Sequence, residues 1–189
     1  MIFYTKTMIT ELKLNLACGN TRKEGFAGVD IEHTSCTDYI MDLTKYPWDI
    51  ESDSVDEIFC SHYIEHIPHN IHNPNDSRDG FIQFMDEVYR VLKVGGRATL
   101  VAPYLTSVRA FQDPTHCRYI CKETFYYFNK QWINTYNLQH YNIKSNFDIN
   151  YSYYITNELT LKSEEIRNNA FNHDWNAIDD IIIELTKLN

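Results

Sequence analysis

The chain has 189 residues, 43% apolar and 23% charged, with a formal net charge of −9. That length can bury a core without disulfide or metal staples, and it predicts one domain over residues 1–189. The composition is that of a soluble globular protein, and no apolar run approaches a membrane span. The start, MIFYTKTMIT, lacks the apolar core and cleavage site of a secretory signal. So acidic a chain argues against wholesale neutralisation of phosphates, although it leaves room for a local basic patch. The five cysteines are odd in number and scattered, which points to free thiols and a cytoplasmic location.

Residues 1–10 read as a loosely docked arm, residues 11–135 as a ligand-binding core and residues 136–189 as further strands. Leu12, Leu14 and Leu16 alternate with Lys13 and Asn15, as in a strand. The small-residue turn Ala17-Cys18-Gly19 follows, and small residues let a ligand approach the backbone. Phe26 to Ile31 reads as a second strand carrying Asp30 at its end. Ligands of open α/β sheets sit outside the carboxyl ends of the strands, so a glycine turn and then an acid predict a nucleoside site, with Asp30 accepting both ribose hydroxyls. The fingerprint G-x-G-x-x-G is absent, which argues against a nicotinamide dinucleotide. Between Gly19 and Asp30 there is no room for a full helix, so the first crossover reduces to a turn. Tyr39 to Met41 is a short apolar run leading to Asp42-Leu43, and Asp42 alone reads equally as a loop carboxylate or helix cap.

Asp53 to Cys60 reads as a fourth strand, Ser61 to Ile67 as the start of a helix, and Pro68 to Asp79 as a surface loop. Gly80 to Lys93 is the clearest helix. Phe81, Phe84, Met85, Val88 and Leu92 form one apolar stripe, Asp79 is the N-cap, and Gly95-Gly96 is the stop. Arg97 to Ala102 is a fifth strand. The long loop from Pro103 to Cys121 carries Tyr104, Arg109, Asp113, His116 and Arg118, and loops of that length are usually functional. Lys122 to Trp132 reads as a helix with an aromatic face. Tyr141 to Ile155 reads as a strand or hairpin, Ser163 to Asn169 as a helical insertion, and Ile178 to Leu188 as a strand around Ile181-Ile182-Ile183.

His62-Tyr63-Ile64-Glu65-His66 by itself fits the H-x-x-E-H signature of inverted zinc peptidases, in which two histidines one helical turn apart share a metal. His116 with Cys117 and Cys121 suggests a second zinc cluster, but no fourth ligand is suitably spaced. His116 also suits a general base, because imidazole changes charge near neutral pH.

The strings LNLACGN, GVDI and EVYRVLKVGGRATLVAP, in that order, resemble class I S-adenosylmethionine-dependent methyltransferases of the type 11 kind, from about Leu12 to Phe128. Ala17 stands where that family usually has Gly, and Asn15 where many members have Glu. The resemblance implies an α/β fold: a Rossmann-like, seven-stranded, mostly parallel sheet with helices on both faces and an antiparallel last strand between strands five and six. It implies S-adenosylmethionine over Leu16, Ala17, Cys18, Gly19 and Asn20, with the ribose on Asp30 beside Ile31. The adenine would lie near Asp42 and Leu43, and the methionine end near Ser61, His62 and Tyr63. The implied reaction is methyl transfer. The acidic chain favours a small-molecule, sugar or nucleotide hydroxyl as acceptor, in a pocket walled by Tyr63, Tyr104, Tyr126 or Tyr127. A nucleic-acid acceptor held by Arg109, Arg118 and Lys122 is the alternative, and a non-catalytic methyltransferase-like scaffold is another.

Two branches of the family, the ubiquinone-biosynthesis O-methyltransferases and the small-RNA 2′-O-methyltransferases, carry E-x-x-E-H after strand four and a later His. Glu65 and His66 match the E-H pair, His116 matches the later His, and His62 replaces the first Glu. That similarity implies a divalent metal on His62, Glu65, His66 and His116, with His116, His66 and Tyr104 as the catalytic candidates. The alternative is that Glu65 and His66 are the family's common helix-start pair, without a metal.

Overall fold

The computed structural model describes residues 11–71, 73 and 75–189; the arm expected over residues 1–10 lies outside them. Seven strands form one sheet: β1 Lys13–Leu16, β2 Ala27–Asp30, β3 Tyr39–Ile40, β4 Val55–Ser61, β5 Leu92–Pro103, β6 Phe147–Ile155 and β7 Ile178–Lys187. Their order is β3-β2-β1-β4-β5-β7-β6. Strands β1 to β5 run parallel, and β7 enters antiparallel between β5 and β6. The mostly parallel sheet with its antiparallel last strand is therefore as the sequence implied. The order reverses between β1 and β4, and in such sheets the carboxyl edge at that switch point receives ligands.

Alternation along the strands gives the sheet two unlike faces. Leu14, Ile58, Ala98, Leu185 and Ile149 share one row, and Leu16, Cys60, Leu100, Ile183 and Tyr151 the next. Helix α1, Gly80–Val91, packs on these rows through Phe84, Met85 and Val88, all fully buried. Its N-cap is Asp79, whose carboxylate accepts from Phe81 N at 2.8 Å. The helices after it are α2 Arg109–Gln112, α3 Lys122–Tyr126, α4 Lys130–Thr135, α5 Asn157–Thr160 and α6 Glu164–His173. Phe125 of α3 stacks edge-on to Phe81, and Phe171 of α6 to Tyr153, so both lie on the apolar side. The opposite rows are polar, for example Lys13, Glu57, Arg97, Thr186 and Asp148. The reason lies in the connections. Residues 17–26 and 31–38 hold no helix among the described residues. Water therefore replaces a helix over much of that face, as on the outer face of an antiparallel sheet. Helix α2 reaches that side at the carboxyl edge, where Arg109 meets Asp180.

Several boundaries differ from those the sequence suggested. The helix expected from Ser61 to Ile67 is a single 3-10 turn, Ile64–His66. Helix α1 ends at Val91 and β5 begins at Leu92, so Gly95, with φ +78°, bends the strand rather than capping the helix. The expected helix over 122–132 is split, because the Asn129 side chain accepts from Trp132 N and starts α4 afresh.

Candidate functional site

The turn after β1 and the end of β2 meet at the carboxyl edge. Ala17 and Gly19 both take left-handed conformations, with φ +50° and +52°. A Cβ added at Gly19 would meet nothing within 4 Å, so the space above the turn is open. Gly28 is required for the opposite reason: its Cβ would fall 1.9 Å from the Cys36 carbonyl oxygen, which crosses β2 there. Asn15 is buried, and its side-chain amide donates to the Thr21 carbonyl at 3.1 Å, fixing the turn from below. Asp30 accepts from Gly19 N at 2.8 Å and from Glu32 N at 3.1 Å. A carboxylate offers about four lone-pair positions, so acceptor capacity remains for two hydroxyls.

Ala17, Cys18, Gly19, Asn20, Ser61 and His62 line one cleft of about 580 Å³. The other residues implied for the cofactor stand apart from that lining. Leu16 and Leu43 have their side chains in the core, so they can offer only backbone. Ile31 is exposed at the end of β2. Asp42 closes its own turn on the Thr44 hydroxyl and amide at 2.6 and 3.0 Å, and the Thr44 hydroxyl holds its carboxyl below the usual carboxylate range. It has the geometry of a turn carboxylate. Tyr63 packs against Phe84 with centroids 5.7 Å apart, and burial pushes its hydroxyl pKa up.

Beyond His62 lies a second cluster. Glu65, His66 and His116 each present one ligand atom, all within 4.8 Å of one another. The two imidazole centroids are 4.6 Å apart. His116 Nδ1 lies 3.0 Å from the Ala110 carbonyl oxygen, which can only accept, so this nitrogen carries the proton and Nε2 is left as a lone pair. The Thr115 hydroxyl donates to Asp113 at 2.7 Å and so accepts from His66 Nδ1 at 2.9 Å. His66 Nε2 is freed in the same way. Glu65 is 1% exposed, and neither carboxylate oxygen has a well-formed hydrogen bond; His62 Nδ1 lies 3.3 Å and His116 Nε2 4.0 Å from Oε1. A buried carboxylate this poorly hydrogen-bonded is costly, and a cation beside it offsets that cost. Two oriented imidazoles and one carboxylate match that need.

His62 stands outside this trio. It adopts φ +54° before the 3-10 turn begins, so it does not share a helical face with His66. That geometry removes the inverted-zincin reading, which needs both histidines on one helix. Its ring instead bridges two buried acids, with Nδ1 at 3.3 Å from Glu65 and Nε2 at 3.9 Å from Asp180. Contact with Glu65 raises its pKa. Burial raises that of Asp180, against the pull of Arg109 at 2.7 Å. Asp180 and the Ala110 carbonyl escaped the sequence reading. The available signal for Asp180 was an acid inside an otherwise apolar strand.

Tyr104 follows the end of β5, its ring edge-on to Tyr153 at 5.3 Å, and burial raises its pKa. Cys117 and Cys121 take no part in the trio; the first contacts the Ile67 and Thr115 carbonyls, the second the Thr124 hydroxyl. The three candidate phosphate contacts are engaged internally: Arg109 with Asp180, Arg118 with Asp79 and the Ile67 carbonyl, and Lys122 with the Tyr151 hydroxyl. No described helix is long and apolar enough to cross a membrane.

No family model and no curated protein matches the sequence. Solved structures do match. A SAM-dependent methyltransferase from Archaeoglobus fulgidus superposes with a TM-score of 0.60 at 18% identity, over 94% of this chain and 86% of that chain. The YcgJ protein from Bacillus subtilis gives 0.53 at 15% identity, over 95% and 93%. An S-adenosylmethionine-dependent methyltransferase from Mesorhizobium loti gives 0.52 at 11%, over 94% and 91%. With the strand order described above, these matches establish that the chain has the class I, Rossmann-like fold of S-adenosylmethionine-dependent methyltransferases.

Proposed function

We propose that the protein transfers a methyl group from S-adenosylmethionine to a hydroxyl of a small acceptor, beside a divalent metal held by Glu65, His66 and His116. The observation that carries this reading is the buried, poorly hydrogen-bonded Glu65 carboxylate facing two oriented imidazoles, next to a cleft open over Gly19. The donor S-adenosylmethionine supplies a methyl group already activated by its sulfonium, so the protein must chiefly bind and align. Asp30 takes the ribose hydroxyls, and the backbone from Ala17 to Asn20 lies against the rest of the donor. A divalent metal at the trio would lower the pKa of an acceptor hydroxyl. Two nitrogens and one oxygen favour Mn, Fe, Co or Zn over Mg. Thr115 and the Ala110 carbonyl hold both imidazoles in the tautomer such binding needs.

A nucleic-acid acceptor is disfavoured, because Arg109, Arg118 and Lys122 are committed to internal partners. Calorimetry with S-adenosylhomocysteine tests the donor site. The wild type binds, and Asp30→Ala binds at least about tenfold more weakly, as loss of charged hydrogen bonds predicts. No binding by the wild type would leave a methyltransferase-like scaffold. Methyl-labelled donor with a cell extract then tests the acceptor, and label must appear in the small-molecule fraction. A chelator abolishes turnover under the metal reading. It leaves turnover untouched if His116 acts as a general base instead.

A further inference from the structure

One lysine on the polar face of the sheet belongs neither to the core nor to the proposed metal trio. Lys23 lines the donor cleft together with Asn15, Phe59, Ser61 and His62. Its ammonium lies 4.0 Å from the centroid of Phe59 and 5.1 Å from that of Phe26. The residue is half-buried. The acids nearby are taken by other cations, Asp38 by Arg22 and Glu57 by Lys13, and among the described residues Lys23 has no carboxylate partner. The chain holds 26 Asp and Glu residues, yet none is among those lining the cleft, so the cleft is a cationic hollow in an acidic protein. Resting on the proposed reaction, we infer that Lys23 binds the carboxylate at the methionine end of S-adenosylmethionine, and that the shortened first crossover puts it there.

The local fold decides where the lysine goes. Residues 17–26 lead from β1 to β2 without a helix, so Lys23 reaches a face that a crossover helix would otherwise cover. Two backbone bonds tighten the turn: Thr21 N donates to the Cys18 carbonyl at 2.9 Å, and Phe26 N to the Lys23 carbonyl at 3.1 Å. The Asn15 amide holds the Thr21 carbonyl at 3.1 Å. The Lys23 stem therefore leaves a fixed backbone, and the Phe26 and Phe59 rings attract its ammonium. A cation placed in advance loses little freedom when an anion joins it.

Distance and charge both fit the ligand. Asn15 and Phe59 pair across β1 and β4, and Ser61 lies two residues further along β4, at the carboxyl edge. Two residues of strand span about 7 Å. Three carbons separate the donor's sulfur from its carboxylate. With the sulfur beside Ser61 and His62, that arm reaches the level of Phe59, where the Lys23 ammonium sits. The donor's sulfonium and α-ammonium are cations and are repelled by Lys23, and its ribose hydroxyls suit an acceptor such as Asp30. Only the carboxylate is complementary.

Calorimetry on the full chain with two nucleosides tests this. S-adenosylhomocysteine carries the amino-acid arm, and 5′-methylthioadenosine lacks it. Lys23→Met keeps an apolar stem against Phe26 and Phe59 and removes the charge. It should weaken S-adenosylhomocysteine about tenfold or more, the usual loss of a charged hydrogen bond, and leave 5′-methylthioadenosine within about twofold. Retained binding of 5′-methylthioadenosine also shows that the variant is folded. Lys23→Arg should recover most of the lost affinity. Unchanged S-adenosylhomocysteine affinity in Lys23→Met, or equal losses for both nucleosides, would overturn the inference. Either result, beside wild-type binding of both nucleosides, leaves the donor site standing. A wild type that binds neither removes the donor site and the inference together.

Discussion

Asp180 Oδ2 lies 2.7 Å from the guanidinium of Arg109, although 71 positions separate the two in the chain. Asp180 is 5% exposed, and its other oxygen has no hydrogen bond. Arg109→Met would leave that carboxylate with only the more distant His62, at 3.9 Å, as a charge partner. The guanidinium is partly solvated, so the loss should be moderate, about 1–3 kcal/mol. Arg109→Met combined with Asp180→Asn should be less destabilised than the two single changes summed, and urea unfolding of all three variants measures this.

Metal affinity depends on how the two imidazoles are held. Thr115→Val removes the acceptor for His66 Nδ1 and leaves all three candidate ligands in place. Titration with Mn²⁺ or Co²⁺ should show affinity falling about 10- to 100-fold, the usual loss when such a supporting bond is cut. Glu65→Gln should abolish binding. Unchanged affinity in both variants would reject the trio as a metal site.

The turn over the donor cleft carries a cost that can be removed. Ala17 sits at φ +50°, where its Cβ crowds the following carbonyl. Glycine relieves that crowding but frees the unfolded chain, so the gain is reduced. Ala17→Gly should be between neutral and about 1 kcal/mol more stable. Thermal unfolding decides it, and a loss above that size would mean the alanine methyl packs on the turn.

Asp79 works in three places. It caps α1 through Phe81 N, pairs with Arg118 at 2.9 Å and meets His69 at 2.8 Å. Loss of a cap alone typically costs about 1 kcal/mol. Asp79→Ala should exceed that value, and Asp79→Asn should fall nearer to it. Denaturant midpoints separate the two.

Acid sensitivity follows from carboxylates held by cations. Arg78 lowers the pKa of Asp76, and Lys93 lowers that of Asp56. A carboxyl with a lowered folded pKa adds stability that is fully present above its unfolded value, near 3.9, and is lost as pH falls toward the folded value. Stability should therefore drop as pH falls below about 4. Asp76→Asn should be less stable at pH 7 and should lose less between about pH 5 and 2. Urea midpoints across that range provide the measurement.

Sequence alone determined what local periodicity and composition control. Alternation at Leu12, Leu14 and Leu16 gives β1, the stripe from Phe81 to Val88 gives α1, and Asp79 caps it. The small turn after β1 and the acid ending β2 were likewise legible, because each depends on residues next to it. Tertiary structure decided the rest. Gly95 looked like a helix stop but bends β5, because Val91 already ends α1 and the chain pairs with β4. His62 has the spacing of a metal ligand, yet its backbone is left-handed and its ring sits between Glu65 and Asp180. Asp180 and the Ala110 carbonyl come together from segments far apart in the chain. No period or spacing encodes such meetings, because they depend on which strand ends share the carboxyl edge. That was set when β7 slipped between β5 and β6 and brought Asp180 opposite Pro103.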